Sequence, residues 1–198
     1  MLLTIFEKNN EMNKYSVVFM PDLQTIEAVK HMKLLLAEKI GWFNSKNSLA
    51  HFTIFEFFEE VANEEIFCNQ LQRIASEIKS FVVHCNSFDY FTTFDTFAFY
   101  IKPNENCFNN MQFLMKQILK EVSTVKKDKP TTTPHLSIGR GLKENQLEIA
   151  QQLFTNINLE FAVTNLTLRK FDESLKQFTL YKEFPLLGKP KEIQGSLF

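Results

Sequence analysis

The stretch PTTTPHLSIGR, Pro130 to Arg140, sets a histidine and a hydroxyl residue two positions apart in a short apolar run that ends at a glycine. Further up the chain, AHFTIFEF repeats the arrangement with His51 and Thr53. The two histidines stand 84 residues apart (135 − 51). In a strand, residues i and i+2 point to the same face. His51 and Thr53 therefore share one face, opposite Phe52 and Ile54, and His135 and Ser137 share another, opposite Leu136 and Ile138. Each tetrad reads as a strand anchored through its apolar side, with an imidazole and a hydroxyl over an open face.

Outward from the tetrads, YSVVFMP (Tyr15 to Pro21) is a β-rich run closed by proline. DLQTIEAVKHMKLLLAEKIG follows with apolar residues at Leu23, Ile26, Val29, Met32 and Leu35 or Leu36, which is helical spacing; Asp22 is placed to cap and Gly41 to stop. The first tetrad strand runs from about Ala50 to Phe58. A second helix carries Ile66, Leu71, Ile74 and Ile78, with Asn63 as its N-cap. Two β-like runs, FVVHCNSFDYF and TFAFYIKP, lead to a third helix, NENCFNNMQFLMKQILKEVS, and then to the second tetrad. A short helix over about Glu144 to Phe154 and two final strands, EFAVTNLTLRKF and QFTLYKEF, precede an extended arm, LLGKPKEIQGSLF. The order of elements is a degenerate repeat with one tetrad in each half. It implies an α+β fold in a single domain over residues 1–198, two small sheets with helices outside.

At 198 residues the chain can bury a core without disulfides or a metal staple. Its 22 phenylalanines must be mostly core, because a ring left in water forfeits about 2–3 kcal/mol. The net charge of −1 argues against binding along an extended nucleic-acid duplex, which needs a basic excess. A small phosphorylated ligand or a single RNA end stays open. Three cysteines without CxxC spacing read as free thiols. The N-terminus lacks the pattern of a signal peptide and no segment has the apolar length of a membrane span, so a cytoplasmic protein is expected.

A lone strand histidine is usually structural; two in matched tetrads ask for chemistry. Imidazoles of ordinary pKa can divide acid and base roles at neutral pH. A phosphodiester between them can be attacked in line, while Thr53 and Ser137 donate hydrogen bonds to the non-bridging oxygens, where charge builds in the transition state. Hydroxyls are poor zinc ligands, so neither a metal nor another cofactor is expected. Arg140, just past the second tetrad, is placed for a phosphate contact. Phe55 and Phe57 share the strand parity of His51 and Thr53 and are the least arbitrary choices of ring to stack on a base, with core packing the leading reading for both. The KKDK run, Lys126 to Lys129, reads as a solvated loop. His31 and His84 lack a matched hydroxyl and read as structural.

Paired H-x-[T/S]-x motifs, here HFTI (His51 to Ile54) and HLSI (His135 to Ile138), resemble the signature of the 2H phosphoesterase superfamily, the 2′-5′ RNA ligase and cyclic phosphodiesterase-like proteins. The likeness extends from YSVVFMP to about Phe184; after the first motif, FEFFEE replaces the small-residue turn of many relatives. The resemblance implies a bilobal fold, two halves related by a pseudo-twofold around a central cleft. It also implies hydrolysis of 2′,3′-cyclic phosphates or 2′-5′ linkages in RNA-derived substrates. His51 and His135 would then be catalytic, and Thr53, Ser137 and Arg140 would bind substrate. The expected partner is a small phosphorylated molecule or RNA end, taken up by a monomer away from any membrane. The alternative is a non-catalytic module that holds an RNA end or cyclic nucleotide in the same cleft.

Overall fold

The computed structural model describes residues 11–191. The leader reading of the first ten residues and the last seven residues of the expected arm lie outside that range. The elements run β1 (Met12–Phe19), α1 (Leu23–Ile40), β2 (Phe52–Glu60), α2 (Glu64–Glu77), β3 (Phe81–Thr92), β4 (Phe97–Pro103), α3 (Glu105–Glu121), β5 (Leu136–Leu142), α4 (Glu144–Leu153), β6 (Leu159–Val163), β7 (Asn165–Asp172) and β8 (Gln177–Pro185). They form two four-stranded antiparallel sheets, ordered β2-β1-β7-β8 and β5-β4-β3-β6. Each sheet carries one tetrad on an edge strand.

Local chemistry accounts for the helix ends. Asp22 accepts a hydrogen bond from the Thr25 amide at 2.8 Å, and Gly41, at φ +78°, returns its amide to the Ala37 carbonyl. Asn63 occupies the cap position of α2 but its side chain makes no capping bond; its amide nitrogen donates to Glu59. The α2 stripe is also rotated from the expected one: Ile66 is 58% exposed, while Phe67, Cys68 and Ala75 join Leu71 and Ile74 inside.

The outer face of the first sheet presents Tyr15, Val17, Phe55, Phe57, Leu166 and Leu168, all buried. Tyr15, Phe57 and Phe67 of α2 meet with centroids 5.1–5.2 Å apart. The helices that follow β1 and β4 cross over: α1 packs on β5 and α4, and α3 reaches β2 as well as β3 and β4. Phe19 meets Phe81, and Phe52 meets Phe161, across the joint between the sheets.

Two strand assignments differ from the sequence reading. EFAVTNLTLRKF is two strands, β6 in the second sheet and β7 in the first, with the chain crossing between the sheets at Thr164. β3 closes no first half, since it pairs with β4 and β6, and the first sheet is completed by the C-terminal β7 and β8. The repeat is therefore strand-swapped rather than sequential. From Leu186 to Lys189 the arm bonds back to Thr164, Ile78 and Ser76. The three cysteines are free thiols. Among the described residues, no helix is long and apolar enough to cross a membrane.

Candidate active site

Both tetrads contain the same irregularity. Val17 and Val18 of β1 pair with Phe55 and Thr53, skipping Ile54. Phe99 and Tyr100 of β4 pair with Gly139 and Ser137, skipping Ile138. Each is a β-bulge at the fourth tetrad residue, which sets two residues against one and reverses the side-chain alternation beyond it. Thr53 and Glu56 thus share the inner face through their partners Val18 and Ser16, and Ser137 and Arg140 do so through Tyr100 and Ala98. The bulge decides between the two readings of Phe55 and Phe57: it turns both outward into the core, at 0% and 1% exposure, so the expected core packing holds and the shared parity with Thr53 does not.

The bulges are stitched across the joint. The Ile54 carbonyl accepts from the Thr131 amide at 2.9 Å, and the Ile138 carbonyl accepts from the Ser45 hydroxyl at 2.8 Å. Backbone bonds between Asp128 and Glu56 extend the first contact, so the end of the KKDK run is an added rung on β2 rather than free loop. Gly141 lies at the second register shift of β5 with φ +71°, a backbone conformation that favours glycine, and a Cβ there would displace the Asn44 side-chain amide.

His51 and His135 immediately precede their strands and are held alike. Nδ1 of His51 lies 2.6 Å from the Leu49 carbonyl and Nδ1 of His135 lies 2.8 Å from the Thr133 carbonyl. A carbonyl only accepts, so both Nδ1 atoms carry the hydrogen and the neutral rings keep a basic Nε2. Both imidazoles are held below their ordinary pKa, chiefly by desolvation. The exposed Arg140 depresses both, which makes it the cation common to the two histidines.

Beyond that the surroundings diverge. His51 is pushed well down and also feels Arg169 and Lys33. His135 lies among rings, with Phe91 5.0 Å and Tyr100 5.3 Å away between centroids. Thr53 and Ser137 are half-buried on the inner face. His31 is exposed, and His84 faces Glu160 at 3.2 Å away from the tetrads.

Sequence reading missed Lys33 and Arg169, both fully enclosed at 1% and 2% exposure. A signal existed for Lys33. It occupies the apolar stripe of α1 with Ile26, Val29 and Leu36, at the place the spacing gives to Met32. Among the described residues, no three His, Cys, Asp or Glu side chains gather as a metal site.

The family model described as the 2′-5′ RNA ligase superfamily matches residues 21–175. No curated protein matches the sequence. Among solved structures, Escherichia coli LigT complexed with NADP+ superposes with a TM-score of 0.60 at 14% identity, covering 89% of this chain and 98% of that one. The protein TT0787 of Thermus thermophilus gives 0.59 at 14% identity over 89% and 100%. Kluyveromyces marxianus Usb1 with uridine monophosphate gives 0.51 at 13% identity over 88% and 98%. At these identities the likeness concerns the fold.

Proposed function

The chain belongs to the 2′-5′ RNA ligase superfamily, and from that premise we propose that it is a metal-independent phosphodiesterase acting on 2′,3′-cyclic phosphate or 2′-5′ linkages of RNA-derived substrates. Membership supports a phosphoesterase-type enzyme. The observation that carries the finer reading is the matched pair of carbonyl-held histidines, each with a hydroxyl two residues on. Thr53 and Ser137 donate to the non-bridging oxygens, and Arg140 neutralises charge between the two rings.

The unequal surroundings support an assignment of the roles. A neutral imidazole is the base, and His51, desolvated by burial and further disfavoured as a cation by Arg169, Lys33 and Arg140, is the harder of the two to protonate. Its Nε2 takes the proton from water as the water oxygen attacks phosphorus. His135, with rings and a single cation nearby, accepts a proton at lower cost. As an imidazolium it gives its Nε2 proton to the departing ribose oxygen while Thr133 keeps the Nδ1 hydrogen. The products are a phosphomonoester and a free hydroxyl.

Because both imidazoles titrate below 6.5 in the free protein, kcat/KM should peak on the acid side of that value. The bound phosphate raises the His135 pKa, so kcat should peak at higher pH. A ³¹P NMR time course in EDTA, with 2′,3′-cyclic mononucleotides and a 2′-5′ dinucleotide, tests the activity directly. Turnover that is lost in His135→Ala supports the reading. Binding of these ligands without turnover in the unmodified protein would instead make it a holding module.

A further inference from the structure

Arg169 and Lys33 are buried without the counter-charge that enclosed cations ordinarily require. The Arg169 guanidinium donates through Nη2 to the Phe178 carbonyl at 2.9 Å. Its Nε and Nη1 have no partner among the described residues. The one carboxylate acting on it, Glu56, is already engaged by Lys14 at 2.7 Å and Lys129 at 3.9 Å. Lys33 Nζ reaches two neutral oxygens, the Ser48 carbonyl at 2.6 Å and its hydroxyl at 3.1 Å.

Neither cation lines a cavity itself, but the groups that hold them share one wall. Ser48, which holds Lys33, and Phe178, which holds Arg169, line the same cavity of about 270 Å³, together with Arg140, Asn44 and Gln177. Strand register places Arg169 on the inner face: it pairs with Ser16, which on its other side pairs with Glu56, one of the inner-face residues beside Thr53.

The count of charges exceeds what a diester needs. A phosphodiester carries one negative charge, which Arg140, common to both rings, can answer. Arg169 and Lys33 act on His51 in addition, and the one carboxylate beside Arg169 among the described residues, Glu56, is held by two lysines. Among the described residues, Arg140 is the cation that acts on His135, and no buried cation does. The pseudo-twofold sets Met115 of α3 where α1 has Lys33, because Val29, Lys33 and Leu36 map onto the buried Met111, Met115 and Ile118 with one shift of 82 residues (111 − 29). It sets Phe91 where β7 has Arg169, since Ala98 pairs with Phe91 as Ser16 pairs with Arg169.

We propose that Lys33 and Arg169, with Arg140 at the rim, form a second anion subsite on the His51 side of the cleft, which takes a phosphate monoester carried by the substrate beside the diester that is cleaved. The inference rests on the phosphodiesterase reading for the identity of the neighbouring site. The substrate class is thereby narrowed to diesters that bear a further terminal phosphate. Guanidinium and ammonium supply charge-assisted donors to the dianion, which brings the counter-charge that the ligand-free protein lacks.

The test titrates inorganic phosphate, a free stand-in for the monoester, into His135→Ala protein, with and without saturating 2′,3′-cyclic mononucleotide. Phosphate should still bind when the cyclic diester is present. Its affinity should fall roughly tenfold or more when Arg169→Met or Lys33→Met is added to that background. The ligand-free Arg169→Met protein should also melt higher than its parent and lose the stabilisation by phosphate. Complete displacement of phosphate by the cyclic nucleotide, or unchanged phosphate affinity in both variants, overturns the subsite. Turnover of cyclic nucleotides by the unmodified protein is assayed separately, so failure of the phosphodiesterase reading shows there and not in the phosphate titration.

Discussion

The two halves of the molecule share a backbone device and differ in its electrostatic setting. Each has a bulge at the fourth tetrad residue, a histidine tied through Nδ1 to the carbonyl two residues upstream, and a hydroxyl on the inner face. Around His51 stand Lys33 and Arg169, whereas around His135 stand Phe91 and Tyr100. On the phosphodiesterase reading proposed above, this is a division of labour: symmetry supplies the geometry for an in-line reaction, and departure from symmetry assigns the base and the place for extra negative charge.

The harshest way to break the comparison is to remove either ring. His51→Ala and His135→Ala should each lower kcat by about 10²–10⁴ with the melting temperature little changed, read by single-turnover kinetics and thermal melts. The pH profiles should then separate the halves. Losing the base removes the acidic limb, and losing the acid removes the alkaline one. Loss of the same limb in both variants would refute the assignment of roles.

Exchange of a single residue between the halves comes next. Met115→Lys places an ammonium at the fully buried counterpart of Lys33, in an apolar part of the core. It should cost roughly 3–5 kcal/mol of stability, measured by denaturant unfolding. Lys33→Met, the reverse exchange, should stabilise the ligand-free protein. If Met115→Lys were tolerated, the special burial of Lys33 would lose its meaning.

How much of this was legible in the sequence follows from the range of each signal. The strands that carry the tetrads, the caps of α1 and the α+β order are local patterns, and the structure has them where the sequence puts them. The bulges do not announce themselves, because Ile54 and Ile138 look like ordinary strand residues; reading through them sent Phe55 and Phe57 to the wrong face. Thr164 carries neither glycine nor proline to mark the crossing from β6 to β7. Arg169 alternates with Leu168 as a solvent-facing residue would, and only the arrangement of the two sheets encloses it. Lys33 was within reach as a charge on an apolar stripe, but a stripe does not disclose what lies opposite.

The same lysine supports a gentler test by pH. Burial, Arg140 and Arg169 lower its pKa from the ordinary 10.5 to about 7. Below pH 7 the amine is charged in both folded and unfolded chains, so the burial cost is present in full. Between 7 and 10.5 the unfolded chain holds the proton that the folded one has shed, so stability rises with pH. The gain is on the order of a few kcal/mol across the window. Lys33→Met should flatten this slope when unfolding free energies of the two proteins are compared at about pH 7 and at the alkaline end. Parallel slopes would place the ammonium in a wetter site than its enclosure implies.

The smallest expected effect concerns the two stitches, which match in position but differ in kind. Ile54 is held by a backbone amide, that of Thr131, and Ile138 by a side chain, the Ser45 hydroxyl. Thr131→Ala keeps its amide and should leave the first bulge in place. Ser45→Ala strips a buried carbonyl of its donor and should cost about 1–2 kcal/mol. The bulge at Ile138 sets the facing of Ser137 and Arg140, so Ser45→Ala should also raise KM for a cyclic phosphate by more than Thr131→Ala does. Thr131→Pro, which deletes the amide hydrogen, would then move the defect to the first motif, with Thr53 as the misplaced group. If Ser45→Ala and Thr131→Ala proved equal in both stability and KM, the bulges would be held by strand pairing alone. The cross-joint bonds would then be a consequence of the cleft's shape and not one of its causes.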